Sequence, residues 1–181
     1  HKAKDFNSQH IANTLNAMSK LAYKDDAVRR CLLQEAQHKA KDFNSQEIAN
    51  TLNAMGKLEY KDDAVMRCLL QEARHKAKDF NSQHIANTLN AMGKLGYKDD
   101  VVMRCLLQEA QHKAKDFNSQ AIANTLNAMG KLGYKDDAMM RCMLQEAQHK
   151  AKDFNSQAIA NTLNAMGKLG YKDDAVMRCL L

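Results

Sequence analysis

The string HKAKDFNSQ begins at His1 and returns intact at His38, His75, His112 and His149, 37 residues apart each time. Five copies of one unit fill all 181 residues, the fifth ending at Leu181, and only eight of the 37 columns vary. Self-similarity at a fixed period of roughly 20–50 residues marks stacked-repeat architectures, where each unit buries its apolar face against its neighbours. The sequence therefore predicts one domain over 1–181, divided as 1–37, 38–74, 75–111, 112–148 and 149–181. The chain starts without Met and stops inside a unit, so it is expected to be a fragment.

The unit reads as two helices. There is no Pro to break a helix interior, and β-branched and aromatic residues are sparse. In the first unit Asn7 suits an N-cap, with Phe6 and Ile11 at the two positions of a hydrophobic staple. Glu47 falls where it completes a capping box with Asn44. Helix A then runs to Lys20 or Leu21, with Ile11, Leu15, Met18 and Ala22 as its apolar stripe. Gly at the columns of Ser19 and Ala22 in later copies, such as Gly56, Gly93 and Gly96, suits a left-handed helix end. Lys24-Asp25-Asp26 opens helix B, with Val28, Cys31, Leu32, Ala36 and Ala40 inward, and the helix is expected to continue to Asp42. Residues 1–5 then correspond to the tail of a preceding helix B. The expected fold is all-α: a right-handed α-solenoid of five helix–turn–helix repeats, about ten helices in all.

The string FNSQ-x-IANTLNAM-x-KL, present in all five units, resembles the octotricopeptide and heptatricopeptide repeats, αα-hairpin units of 38 and 37 residues. The resemblance covers the whole chain, and the 37-residue period matches the heptatricopeptide form. It implies RNA binding, typically in organellar RNA processing or stability. Where the octotricopeptide pattern commonly carries Trp, this chain has Asn16, Asn53, Asn90, Asn127 and Asn164, and the Pro-rich segment of that pattern is absent.

The polar face of helix A offers a matching chemistry. Gln9, Asn13, Asn16 and Lys20 fall at i, i+4, i+7 and i+11, on one side of the helix opposite Leu15 and Met18. Stacking lays out two amide rows, Asn13, Asn50, Asn87, Asn124 and Asn161 beside Asn16, Asn53, Asn90, Asn127 and Asn164. A lysine row, Lys20, Lys57, Lys94, Lys131 and Lys168, edges them. Amides can pair with base edges and lysines with phosphates. Column 10 holds His10, Glu47, His84, Ala121 and Ala158 between the constant Gln9 and Ile11 columns, as a specificity-tuning position would. The plainer readings are a solvated face, or Asn13-type amides that bond the neighbouring unit's backbone.

No other constellation suggests a reaction. Cys31, Cys68, Cys105, Cys142 and Cys179 share one column and sit a repeat apart, too far for the Cα separation of roughly 4.4–6.8 Å that a disulfide needs. They read as small core residues in a reducing, intracellular or organellar setting. His38, His75, His112 and His149 suit the negative end of helix B. The Asp25-Asp26 pair recurs in every unit and reads as capping rather than acid–base chemistry, since an active site is normally singular. Met66, Met103, Met140 and Met177 take the column of Arg29, at an inter-repeat seam or partly exposed.

The net charge of +6 allows an acidic partner without requiring one. No apolar run approaches the about 20 residues of a membrane-spanning helix. The sequence thus points to a non-catalytic module without metal or cofactor that binds single-stranded RNA. A protein-interaction scaffold is the alternative, and end-to-end self-association through uncapped repeat faces is expected.

Overall fold

The computed structural model of the chain describes residues 2–181. Helix α1 (Ser8–Lys20) pairs with α2 (Asp26–His38), α3 (Ser45–Leu58) with α4 (Asp63–His75), and α5 (Ser82–Leu95) with α6 (Asp100–His112). The last pairs are α7 (Ser119–Leu132) with α8 (Asp137–His149), and α9 (Ser156–Leu169) with α10 (Asp174–Leu180). The odd-numbered helices are the A helices of the repeat and the even-numbered ones the B helices. No strand occurs among the described residues, and the pairs stack as an α-solenoid.

Local chemistry sets the boundaries. Each A helix is capped by an Asn: the Asn44 side chain accepts from the Glu47 amide while the Asn44 amide donates to Glu47 Oε2, both at 2.9 Å. Each B helix is capped by an Asp, and the Val28 amide bonding Asp25 Oδ1 at 2.9 Å holds that carboxyl below its ordinary pKa. Four A helices end on a left-handed residue, Glu59, Gly96, Gly133 or Gly170, and the next amide reaches back five residues, as Tyr97 to the Met92 carbonyl at 3.0 Å. This is the closing bond of a Schellman motif.

Several inward positions differ from the sequence reading. Ala22 does not join the apolar stripe; it lies exposed past the end of α1 at φ 50°, in the left-handed column. The B helices stop at His38 and its copies, and the run to Asp42 becomes a separate 3-10 turn, Ala40–Asp42 in the first junction. Lys2–Asp5 forms the same turn ahead of α1. Val28 is 40 % exposed, although Val65, Val102 and Val176 of the same column are buried. The cysteines are half-buried, with Cys179 exposed, rather than core. Burial raises the thiol pKa of Cys105 and Cys142, and nearby Glu109 and Glu146 add to the rise. Leu33, not expected inside, is buried.

The A helices pack on one another far more closely than the B helices do. The close approach comes from Gly at column 19. A Cβ built on Gly93 would lie 3.0 Å from Ala128 Cα, and one on Gly130 3.0 Å from Ala165 Cα. The Met column of α4, α6 and α8 fills the seam between repeats: Met66, Met103 and Met140 are fully buried, and in the first repeat Arg29 lies 4.8 Å over the Tyr60 ring instead. Phe43, Phe80 and Phe117 complete the core.

Polar latches reinforce each junction. Lys76 Nζ donates to the carbonyls of Lys41 at 2.8 Å and Phe43 at 2.6 Å in the preceding repeat. It also faces Glu72 at 3.5 Å. Lys39, Lys113 and Lys150 repeat the arrangement. The fully buried hydroxyls of Thr51, Thr88, Thr125 and Thr162 have no partner. Removing an unsatisfied buried hydroxyl at nearly constant shape removes a desolvation penalty of about 1–3 kcal/mol. Thr88→Val is therefore expected to stabilise the chain by about 1 kcal/mol, measured by urea unfolding; a loss of stability would mean that the hydroxyl is bonded.

Candidate nucleic-acid interface

The solvent edge of the A layer carries the Gln9, Asn13, Asn16 and Lys20 columns. Asn13 is exposed, and Asn50, Asn87, Asn124 and Asn161 are half-buried. Asn16, Asn53 and Asn90 are half-buried, Asn164 is exposed, and Asn127 is only 8 % exposed, so its amide has the least access. Gln120 Nε2 donates to Asn124 Oδ1 at 3.0 Å, and Gln157 to Asn161 at 3.1 Å. Each pair satisfies the Asn oxygen and leaves the Asn amide nitrogen free to donate outward. Among the described residues, no hydrogen bond ties an Asn13-column side chain to a neighbouring repeat's backbone.

All five lysines, Lys20, Lys57, Lys94, Lys131 and Lys168, are exposed. The three middle ones line a single cleft together with Glu59 and Lys61. Glycine at 56 makes this possible. The Lys94 Cδ passes 3.7 Å from where a Gly56 Cβ would lie, so the lysine stem crosses the preceding helix. The Lys94 ammonium has its pKa lowered, first by burial and then by repulsion from Lys131 and Lys57, with Glu59 opposing. A row of like charges held this close, partly stripped of water, favours an anion as counter-charge.

Column 10 serves the helix start. His10 Nδ1 accepts weakly from the Asn7 amide at 3.4 Å, and its ring stands edge-on to Phe6. His84 packs the same way on Phe80, its Nδ1 is buried without a partner, and burial lowers its pKa. Ala121 and Ala158 are buried. Only His10, Glu47 and His84 of this column reach any surface at all. Sequence reasoning missed Glu59 and Lys61. The signal was the single acid in a column otherwise Ala or Gly, two residues after the lysine row.

The arginines Arg30, Arg67, Arg104, Arg141 and Arg178 are exposed on the B helices. Among the described residues no group of three or more His, Cys, Asp or Glu is placed to hold a metal. No described helix is long and apolar enough to cross a membrane.

A stack of 37-residue helical hairpins with a lysine row and amides along its tightly packed layer defines an α-helical repeat protein with a basic edge. The family model of the RNA-editing substrate-binding complex 6 protein matches residues 1–181, and the chain belongs to that family. No curated protein matches the sequence significantly.

Proposed function

We propose that this chain is a non-catalytic module that binds single-stranded RNA along the A-helix edge, within an RNA-editing substrate-binding assembly. The observation that carries the reading is the convergence of Lys57, Lys94 and Lys131 in one cleft, on A helices that also carry the partly exposed Asn columns. The lysines would take phosphates and the Asn13 and Asn16 columns base edges. The family, named for an RNA-editing substrate-binding complex, supports an RNA-associated role. Kinship with the octotricopeptide and heptatricopeptide repeats is part of the proposal, resting on the shared FNSQ-x-IANTLNAM string and the period. Column 10 tunes preference through His10, Glu47 and His84, by shaping the helix start rather than by contact in every repeat. A scaffold role is favoured alongside by the exposed arginine row on the opposite layer, which would face protein partners of the assembly.

Fluorescence anisotropy with labelled poly-A, poly-U, poly-C and poly-G at two salt concentrations tests this. Replacing Lys57, Lys94 and Lys131 with Gln is expected to weaken binding to all four and to lower the salt slope by about 2. Replacing Asn50, Asn87 and Asn124 with Ala is expected to erase discrimination between bases while leaving the slope in place. Absence of binding at low salt would leave the protein-scaffold reading in its stead.

A further inference from the structure

Column 22 is the left-handed end of every A helix, and in repeats three to five glycine fills it. In repeat two Glu59 occupies it at φ 55°, a conformation that L side chains rarely adopt. Ala22 bears the same strain in repeat one without a charge. Glu59 therefore places the only carboxylate of its column in the cleft lined by Lys57, Lys94 and Lys131. It sits close enough to draw the Lys94 ammonium back toward its ordinary pKa, against burial and the two flanking lysines. No ion pair fixes it to a lysine among the described residues.

We propose that Glu59 is a built-in competitor for the phosphate that this lysine row binds. Its carboxylate weakens anion binding at the junction of repeats two and three. The end of repeat five, with Lys168 beside Gly170, lies outside that cleft and has no carboxylate in column 22. RNA phosphates engage the C-terminal repeats first, so the binding edge is graded along the stack rather than uniform. This inference rests on the RNA reading and assigns a role that the lysine row alone does not contain.

Glu59→Gln keeps the strained backbone and removes the charge. Asp42→Asn, an exposed carboxylate in the Ala40–Asp42 turn outside that cleft, removes the same charge and is the control. Binding of a labelled twelve-nucleotide poly-U RNA at low salt is expected to tighten about three- to tenfold in Glu59→Gln, with the gain fading at high salt. Asp42→Asn is expected to match the wild type. RNA binding that is unchanged or weaker in Glu59→Gln would overturn the role of Glu59 while leaving the RNA reading intact. If the wild-type chain binds no RNA, tripolyphosphate decides. Its titration is expected to shift the Gly56 and Leu95 backbone amide signals at lower concentration in Glu59→Gln than in wild type, and equal titrations would sink the proposal.

Discussion

Gly93→Leu is expected to cut the stack near its middle. A Cβ at 93 meets Ala128 Cα at 3.0 Å and Ala128 Cβ at 3.3 Å, and what it meets is helix backbone rather than a side chain that can swing aside. A leucine would force α5 and α7 apart, against a typical cost of about 1–3 kcal/mol for overpacking, with the upper end expected here. Stability in a solenoid is a sum of unit terms and nearest-neighbour interfaces. A weakened central interface is therefore expected to split one cooperative urea transition into two. Gly167→Leu supplies the contrast. The same column in repeat five has nothing within 4 Å, so leucine there replaces a poor helix former without a clash. It is expected to stabilise by about 0.5–1 kcal/mol. Opposite signs for one substitution at two copies of one column would show that the glycine serves helix approach; equal losses would show that it does not.

Lys113→Met is expected to cost about 3 kcal/mol. The ammonium donates to the Lys78 carbonyl at 2.8 Å and the Phe80 carbonyl at 2.7 Å, and lies 3.6 Å from Glu109. Methionine keeps the apolar stem and removes all three contacts. The two carbonyls end a turn, and Glu109 is left half-buried without its cation. Lys113→Arg is expected to recover only part, since the planar fork cannot converge on two carbonyls as a compact ammonium does. A loss below about 0.5 kcal/mol for Lys113→Met, the size of an ordinary surface ion pair, would show the latch to be incidental.

The solenoid was legible from the period alone, and the helix starts from the Asn and Asp caps. Those signals are local: a cap acts within its own turn. What stayed hidden depends on the neighbouring repeat. Column 19 reads as a helix-end glycine until Ala128 is seen against it, and the left-handed role belongs to column 22 alone. The latch lysines gave no signal of their role, because nothing in one unit reveals that the acceptors lie 33 and 35 residues earlier. The recognition edge was half legible. Periodicity placed Asn13, Asn16 and Lys20 on one face. That Lys57, Lys94 and Lys131 would share a cleft with Glu59 needed the inter-helix distance that glycine permits.

Apart from contacts within a helix end at a repeat boundary, the side-chain hydrogen bonds between repeats span 31 to 35 residues among the described residues. In a globular domain such separations lengthen as the chain grows and folding slows with them. Here the separation is fixed by the unit and would be the same for three repeats or for thirty. Nucleation can begin at any adjacent pair and spread both ways. A gene encoding such an array can gain or lose a whole unit of 37 codons and leave each surviving junction as it was. The lysine-lined edge lengthens or shortens by one Asn–Asn–Lys set at each step, so on the proposed reading the length of RNA bound is a quantity that recombination can adjust without redesigning the fold.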